Sequence, residues 1–452
     1  MNQKDTDARL RLDALLDGLS RRHFLRNSAL AAGAVATTSI AFSPTIAAQS
    51  PASARTLVYV FLRGAMDGLS FVVPTGSGAD AVQYRSRRSA TRMSMDDSTP
   101  TRRPLALNGG QPFGLHPAAT GLRDLFNRAQ SPLAIINGVG HLDPSTYNRS
   151  HFDAQEQVEL GTPGLQALTH GWLARHLMTT TRVPNAIFNA LAASSMPPQS
   201  LQGWAETVSV TGGSGTSGFH PDPSGGSSGT YSTTHLRGLR AMYAGTGDLD
   251  VAAQAALDAV DVISGTNFGA YVPAGGAVYP NTGVANSLKL IATLVRASIG
   301  LNVATVDVGG WDTHNNQGVF DNGGFFNLAR DLSAALSAFY QDMEGAGFHQ
   351  RVTVVVQTEF GRQVTENASA GTDHGLAYPM FVLGGKVKGG WYGQFPSLAP
   401  ANTPGDAVKP MVDFRQVLAT AADKLVGNND PEGIFHTAAS PFTYTPMGFW
   451  NP

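Results

Sequence analysis

The sequence predicts an α/β protein with a mainly parallel central sheet and helices on both faces. Several continuous apolar runs lack the alternation of a half-exposed strand, which is typical of parallel strands covered on both sides. Segments with helical periodicity separate these runs, as crossover connections require. Glycine is abundant, with 51 residues in a chain of 452, so many turns join the predicted elements.

Each predicted element follows from its local pattern. The apolar runs predict strands at 56–62, 133–140, 301–308, 352–358 and 378–386. Helical spacing predicts helices at 117–129, 150–160, 169–180, 249–264, 285–299, 325–345 and 413–426. Residues 211–230 have the Gly/Ser composition of a flexible loop. We expect one domain over 55–452, with 200–280 as a loop-rich insertion or cap.

Composition narrows the function. The net charge is −2 and only 14% of residues are charged, which argues against a nucleic-acid binder. The chain has no cysteine, so disulfides, thiolate nucleophiles and thiolate metal ligands are excluded. Any metal must therefore be held by oxygen and nitrogen.

The first 54 residues have the pattern of a twin-arginine export signal. Arg21 and Arg22 precede Phe24–Leu25, and an Ala/Gly/Thr-rich apolar run then leads to small residues near Ala47 and Ala54. We therefore expect export by the twin-arginine machinery and a periplasmic or secreted mature protein. No other stretch approaches the roughly 18 apolar residues of a membrane span.

Acidic and imidazole side chains gather at the predicted strand ends. They are Asp67, Asp307, Asp312, His314, Glu359, Asp373 and His374. In a parallel α/β sheet the carboxyl ends of the strands form one edge, so we expect these side chains to meet there. The mixture suits zinc, manganese or iron, and allows calcium or magnesium if the histidines are not ligands. Two such clusters could hold two ions about 3.5–4 Å apart.

A nucleophile is expected beside this edge. Ser150 precedes a predicted helix, where free N–H groups and the helix dipole stabilise an oxyanion, although serine is also a common N-cap. Thr146 is the alternative nucleophile, and His151 is a ligand or an orienting donor. Three arginines close in sequence to these residues, each a surface residue or an oxyanion contact, are Arg63, Arg149 and Arg362.

An ordered set of motifs carries a family resemblance. The stretches "FLRGAMDGLS", "NGVG", "NRSHFDAQ", "GGWDTHNNQ", "VVVQTEFGR" and "GTDHGLAYPMFVLGG" stand behind the twin-arginine signal. Together they resemble the domain-of-unknown-function 1501 family over about 55–450. That family is in turn similar to the alkaline phosphatase and sulfatase superfamily, which implies the same α/β fold here.

The superfamily resemblance implies particular roles. Asp67 resembles its first metal-binding aspartate, and Ser150 falls at its nucleophile. Asp307 and Asp312 are similar to its acidic segment leading to a metal aspartate, and Asp373–His374 looks like its metal pair.

Three departures from the superfamily pattern stand out. His314 follows Asp312 too closely. A longer segment precedes Asp373, so Glu359 could take the strand-end position. The late metal histidine has only His436 as a weak counterpart.

The leading functional expectation is an exported metal-dependent hydrolase of phosphate or sulfate esters, with zinc, manganese or calcium activating Ser150. The alternative is a sulfatase-like fold without turnover that binds a cell-surface polymer or a partner protein. A serine esterase has only "GGSSG" (225–229) in its favour, and no strand precedes that motif.

Overall fold

The computed structural model describes residues 54–452, apart from 165–166, 182, 184–185, 211–232, 266–270 and 319–320. The expected export signal, the loop at 211–230 and the "GGSSG" motif lie outside the described residues. The segment Gly213–Ala270 belongs to a different compact unit from Pro44–Gly212 and Tyr271–Pro452. Within the described residues, no helix has the length and apolarity needed to cross a membrane.

Nine strands form the central sheet and the others form two small sheets. The strands are β1 (Thr56–Leu62), β2 (Val72–Pro74), β3 (Leu105–Ala106), β4 (Phe113–Leu115), β5 (Leu133–Gly140), β6 (Ala190–Ala192), β7 (Thr207–Ser209), β8 (Val303–Val308), β9 (Val352–Thr358), β10 (Arg362–Glu366), β11 (Thr372–His374), β12 (Tyr378–Gly384), β13 (Gly390–Gly393) and β14 (Val412–Asp413). The order in the central sheet is β13-β5-β12-β9-β1-β8-β6-β7, with β14 also beside β5. The small sheets are β10-β11 and β2-β4-β3.

The described part of the larger unit contains eight α-helices. They are α1 (Gly68–Phe71), α2 (Ala79–Arg87), α3 (Thr120–Phe126), α4 (His151–Leu160), α5 (Trp172–Thr179), α8 (Gly283–Arg296), α9 (Gly324–Gly345) and α10 (Phe414–Thr420), which a π-helical turn extends over Ala421–Leu425. Leu57, Tyr59 and Phe61 of β1 share a buried cluster with α5 and α10. Because strand side chains alternate, the residues between them face the opposite side, where α8 packs on β8 and α9 packs on α8.

The smaller unit contains two described helices, α6 (Thr233–Met242) and α7 (Asp248–Gly265). An ion pair of 2.6 Å joins the Arg240 guanidinium to the Asp258 carboxylate across them. The amide of Gln254 also donates to the Gly245 carbonyl at 3.1 Å.

The prediction of a mainly parallel α/β sheet is confirmed. Six of the strand pairs in the central sheet are parallel and two are antiparallel. Strand β1 lies between β8 and β9 and is parallel to both. Strands β1, β5, β9 and β12 are buried along their whole length, which is why their sequences show no polar alternation.

The direction of β12 corrects one expectation. Its continuous apolar run predicts another parallel strand, but β12 is antiparallel to both β5 and β9. The chain leaves β9 at the carboxyl edge and forms the β10–β11 hairpin before β12 begins. Since β12 starts at this edge, it has to run back against its neighbours. The hairpin thereby delivers Asp373 and His374 to the edge where β1, β8 and β9 end.

Candidate metal centre

Three segments at the carboxyl edge bring four potential ligands together. Asp312 and His314 lie in the loop after β8, His374 ends β11, and His151 opens α4. One ligand atom from each of the four lies within 4.8 Å of every other. The Asp312 Oδ1 atom is 3.1 Å from His314 Nε2, 3.3 Å from His151 Nε2 and 3.7 Å from His374 Nε2. Ligands at Zn–N distances of 2.0–2.1 Å are separated by about 3.3 Å, so these spacings match tetrahedral coordination.

Each histidine is oriented by an oxygen acceptor on its far side. His151 Nδ1 contacts Glu359 Oε1 at 2.7 Å, and His314 Nδ1 contacts Asp373 Oδ1 at 2.8 Å. His374 Nδ1 donates to the Arg149 carbonyl at 2.6 Å. A carbonyl or carboxylate can only accept, so the neutral rings carry their proton on Nδ1. All three Nε2 lone pairs then point into the cluster, as in carboxylate–histidine–metal triads.

The spacing of two of these lone pairs is the decisive observation. His314 Nε2 and His374 Nε2 are 2.8 Å apart. His151 Nε2 is buried and has no hydrogen-bond partner among the described residues. Neutral imidazole nitrogens at this distance repel each other unless a proton or a cation lies between them. The cluster could therefore hold a metal ion, and a proton shared between the two rings is the alternative.

The protonation states suit a ligand role. Burial raises the pKa of Asp312, but the Arg362 guanidinium outweighs it and the net pKa is lowered. Hydrogen bonds from Asn367 and His314 lower the pKa of Asp373. Partial burial and the nearby positive charges of His151 and Arg362 lower the pKa of His374. At neutral pH Asp312 is therefore a carboxylate and His374 a neutral imidazole, which are the forms that bind metal, and Asp373 is a carboxylate that can accept from His314.

Hydrogen bonding to Glu359 raises the pKa of His151. Burial raises the pKa of Glu359, but the bonds from His151 and Gln155 outweigh it and lower the pKa overall. A proton therefore competes with a cation for this imidazole more strongly than for His374.

Arg362 binds the segments that carry three of the four ligands. Its fully buried guanidinium donates to the carbonyls of Gly64, Ala65, Trp311 and Thr372 and to Asp312 Oδ1, the last at 2.7 Å. These acceptors belong to the loops after β1 and β8 and to β11. Arg362 is thus a structural clamp, and its side chain is not available to a substrate oxyanion as one reading of the sequence expected.

Close backbone approach explains two glycines. Gly64 has φ +113°, and a Cβ there would clash with the backbone of Trp311 and Asp312. A Cβ on Gly371 would clash with the carbonyls of His314 and Thr313. The loops that carry the ligands can pack against each other only because these side chains are missing.

Asp67 lies beneath the cluster, outside it. Its carboxylate is fully buried, accepts from Arg88 at 2.6 Å and from Ser70 Oγ at 2.6 Å, and caps α1. Burial raises its pKa, but Arg88 and the hydrogen bonds outweigh this and the net pKa is lowered. Gln317 donates to Asp67 at 2.8 Å and accepts from Thr313 and Thr372. Asp67 therefore supports both ligand-bearing segments through Gln317.

Glu359 contacts one of the four ligands directly, whereas Asp307 is connected to them only through a chain of side chains. Asp307 pairs with Arg63 at 3.0 Å, and Arg63 also pairs with Glu159 at 3.2 Å. Gln155 accepts from Arg63 and donates to Glu359, so hydrogen bonds connect Asp307 to His151. Glu359, expected as a ligand, is buried and instead orients His151.

Ser150 and its neighbours flank the cluster. Ser150 is the exposed N-cap of α4 and its side chain makes no capping bond. The residue before it provides the carbonyl that binds His374, and the residue after it is the ligand His151. The Arg149 guanidinium is directed to the carbonyls of Pro404 and Gly405 at 3.4 Å. The Thr146 hydroxyl donates to the Asp143 carbonyl at 2.8 Å.

Some contributors had little or no sequence signal. Gln155, Gln317 and Arg88 were not identified, because nothing in the sequence distinguishes a buried bridging amide or guanidinium from a surface one. The position of His151, one residue into a helix that follows a strand, was the available signal for a ligand. His436 is exposed and its ring contacts the Phe442 backbone at 2.8 Å, outside the four-residue cluster.

Comparison with known families agrees with part of the resemblance. Residues 250–446 match the family model described as Protein of unknown function (DUF1501). The match supports the DUF1501 resemblance. It includes Asp312, His314, Glu359, Asp373 and His374, whereas His151 and Ser150 precede it. No curated protein matches the chain.

Proposed function

We propose that the protein is an exported metal-dependent hydrolase of phosphate or sulfate esters, related to the alkaline phosphatase and sulfatase superfamily. It would act with one cation held by His151, Asp312, His314 and His374. The observation that supports this most strongly is the convergence of three Nε2 lone pairs and one carboxylate beside an uncapped helix N-terminus that carries a serine.

The donor set favours a borderline metal. Three imidazoles and one carboxylate suit zinc, manganese or iron. Calcium and magnesium prefer six or more oxygen ligands and fit this set poorly. The second ion considered from the sequence has no comparable ligand cluster among the described residues. A bound cation would supply Lewis-acid polarisation of an ester oxygen.

The residues of the chain define the remaining chemistry. The first-turn N–H groups of α4 and the helix dipole favour a tetrahedral anion at its N-terminus. The Ser150 oxygen would bond to the phosphorus or sulfur atom as the bond to the ester oxygen breaks, and the serine proton would leave with that oxygen as the free alcohol. Water would then cleave the serine ester and regenerate the hydroxyl. The three oriented histidines would hold the cation at a fixed position during both steps.

Two observations favour the second candidate, a binding protein without turnover. All three arginines considered as oxyanion contacts are already engaged, Arg63 by Glu159 and Asp307, Arg149 by loop carbonyls, and Arg362 by its buried acceptors. Four protein ligands are also characteristic of structural zinc sites, whereas catalytic sites keep one position open. Asp312 is half-exposed and is the ligand best placed to yield such a position.

Elemental analysis of the purified protein combined with ester assays tests the proposal. We expect about one zinc, manganese or iron per chain and turnover of p-nitrophenyl phosphate, bis(p-nitrophenyl) phosphate or p-nitrophenyl sulfate. His314→Ala should lose both the metal and the turnover. Ser150→Ala should keep the metal and lose the turnover.

His436→Ala is the matched control, since it removes an exposed histidine outside the cluster. It should change neither the metal content nor the turnover. Metal without turnover of any of the three esters would favour the binding protein, and full turnover by Ser150→Ala would exclude the serine mechanism.

A further inference from the structure

A cleft of about 410 Å³ opens beside the metal-binding loop. Its walls are the end of β8, the first turns of α8 and the first half of α9, and its polar residues include Asp307, Ser287 and Asp331. The volume is within the ~300–1,000 Å³ of small-molecule sites. The sequence predicts Asp307 as a metal ligand, but in the structure it lies outside the four-residue cluster and lines this cleft.

The polar groups of the cleft have unused hydrogen-bonding capacity. Ser287 is only 8% exposed, and its hydroxyl has no hydrogen-bond partner among the described residues. Asp331 uses Oδ1 to accept from Arg330 at 2.9 Å, and within the described chain Oδ2 makes no such contact. This hydroxyl lines the cleft, so it can donate to or accept from a ligand bound there.

The charges of the cleft disfavour ionic ligands. Asp307 shares the Arg63 guanidinium with Glu159, and Asp331 is paired with Arg330, so each carboxylate of the cleft already has a cationic partner and binds an amine less strongly than a free carboxylate would. No lysine or arginine is among the described residues that line the cleft, so an anion has no cationic partner there. The remaining lone pairs of the carboxylates and the serine hydroxyl suit the hydroxyl groups of a neutral ligand. The side chains of Val284, Leu328 and Leu332 offer an apolar wall to C–H groups.

Two glycines leave this space open. A Cβ built on Gly309 or on Gly283 meets no atom within 4 Å, and neither residue has a positive φ. A larger side chain can therefore enter the cleft at Gly309 without backbone strain.

The geometry points to a binding site for a neutral sugar ring in this cleft, contacted by Ser287, Asp307 and Asp331. Such a site does not depend on the proposed hydrolysis. Gly309 is three residues before Asp312, so a saccharide bound here would lie close to the loop of the metal centre.

Isothermal titration calorimetry with three neutral oligosaccharides, cellohexaose, maltohexaose and chitohexaose, tests this site. At a ligand concentration of about 10 mM, above a Kd of ~1 mM, we expect at least one to bind. Gly309→Leu, which fills the cleft, should weaken that binding at least tenfold, and Ser287→Ala should weaken it several-fold. Gly78→Leu is the matched control, because a Cβ at Gly78 also meets no atom and its φ is −62°. This variant should bind as the wild type does.

Three outcomes would overturn the site. They are no binding by any of the three oligosaccharides, equal binding by wild type and Gly309→Leu, or binding of spermidine instead of a sugar. Metal content measured on Gly309→Leu separates this site from the metal centre. Loss of sugar binding with the metal retained supports the cleft, whereas loss of both would place the effect in the metal-binding loop and contradict the proposal.

Discussion

At the scale of single residues, the metal centre depends on what lies behind each ligand. His151 is directed into the cluster by Glu359, His314 by Asp373 and His374 by a backbone carbonyl. Such outer partners fix the tautomer and raise the basicity of the ligating nitrogen. The buried Glu359 is the best example, since it also accepts from Gly64 and Gln155.

Glu359→Gln should therefore weaken metal binding by about 10–100-fold without removing a ligand. The amide can present its NH₂ group to His151 Nδ1 and so favour the wrong tautomer. Competition with a chromophoric chelator measures the affinity. Glu344→Gln, at an exposed residue paired with Arg128, is the control and should leave the affinity unchanged. Equal affinities for Glu359→Gln and wild type would show that this carboxylate does not orient a ligand.

A second prediction at this scale concerns the contribution of Arg362 to stability. Arg362→Lys keeps the charge but cannot reach all of the acceptors that the planar guanidinium reaches, so buried carbonyls lose their donors. We expect the free energy of unfolding to fall by about 2–4 kcal/mol, measured by urea denaturation. Arg330→Lys, at a half-exposed residue, should change it by less than about 0.5 kcal/mol. A similarly small change at Arg362 would contradict the clamp.

At the scale of elements, the antiparallel strand β12 explains how an Asp-His pair that precedes a strand reaches the edge where the other strands end. The β10–β11 hairpin reverses the chain there, and Asn367 in its turn donates to the His314 carbonyl at 2.9 Å. The hairpin and the loop after β8 therefore pack as one unit around Gly371.

Gly371→Ala should separate that hairpin from the loop after β8. The added Cβ meets the His314 carbonyl, so we expect a loss of about 2 kcal/mol or more in unfolding free energy together with weaker metal binding. Thermal unfolding and chelator competition measure the two effects. Gly78→Ala, at an open position, should have neither effect, and a Gly371→Ala variant that behaves like it would contradict the close packing.

Many of the strands and site residues at this edge could be predicted from the sequence, but some could not. Strands β1, β5 and β9 were predictable because burial on both faces leaves a largely apolar run, and β8 because its first four residues are buried before Asp307. Asp312, His314 and His374 were predictable as neighbours because they flank such strands. The direction of β12 was not predictable, since an apolar run does not encode its polarity. The sequence did not indicate that Asp67 lies outside the cluster. Its partner Arg88 comes 21 residues later, and the burial of the pair depends on tertiary packing.

At the scale of the whole molecule, buried histidines outside the metal centre make stability depend on pH. Burial lowers the pKa of His176 to about 4, and its Nδ1 accepts from Asn428 at 3.0 Å. The unfolded chain binds this proton near pH 6.5, whereas the folded chain binds it only near pH 4. Stability from the neutral ring is therefore present above pH 6.5 and is lost as the pH falls towards 4.

His176→Gln should reduce this dependence. Between pH 6.5 and pH 4 the wild type should lose about 3 kcal/mol more unfolding free energy than the variant, measured by urea denaturation across that range. The comparison uses only the change in unfolding free energy with pH, so a different stability of the variant at pH 7 does not affect it. Parallel pH profiles for the two proteins would show that His176 does not titrate on unfolding.

The most direct test of the central claim is anomalous diffraction at the zinc edge from crystals grown with one equivalent of zinc. We predict one strong peak, about 2.0–2.1 Å from the Nε2 atoms of His151, His314 and His374, with an Asp312 oxygen completing the coordination. Absence of a peak there, with His314 and His374 still in contact through their Nε2 atoms, would show that a shared proton holds the cluster and that no metal centre exists.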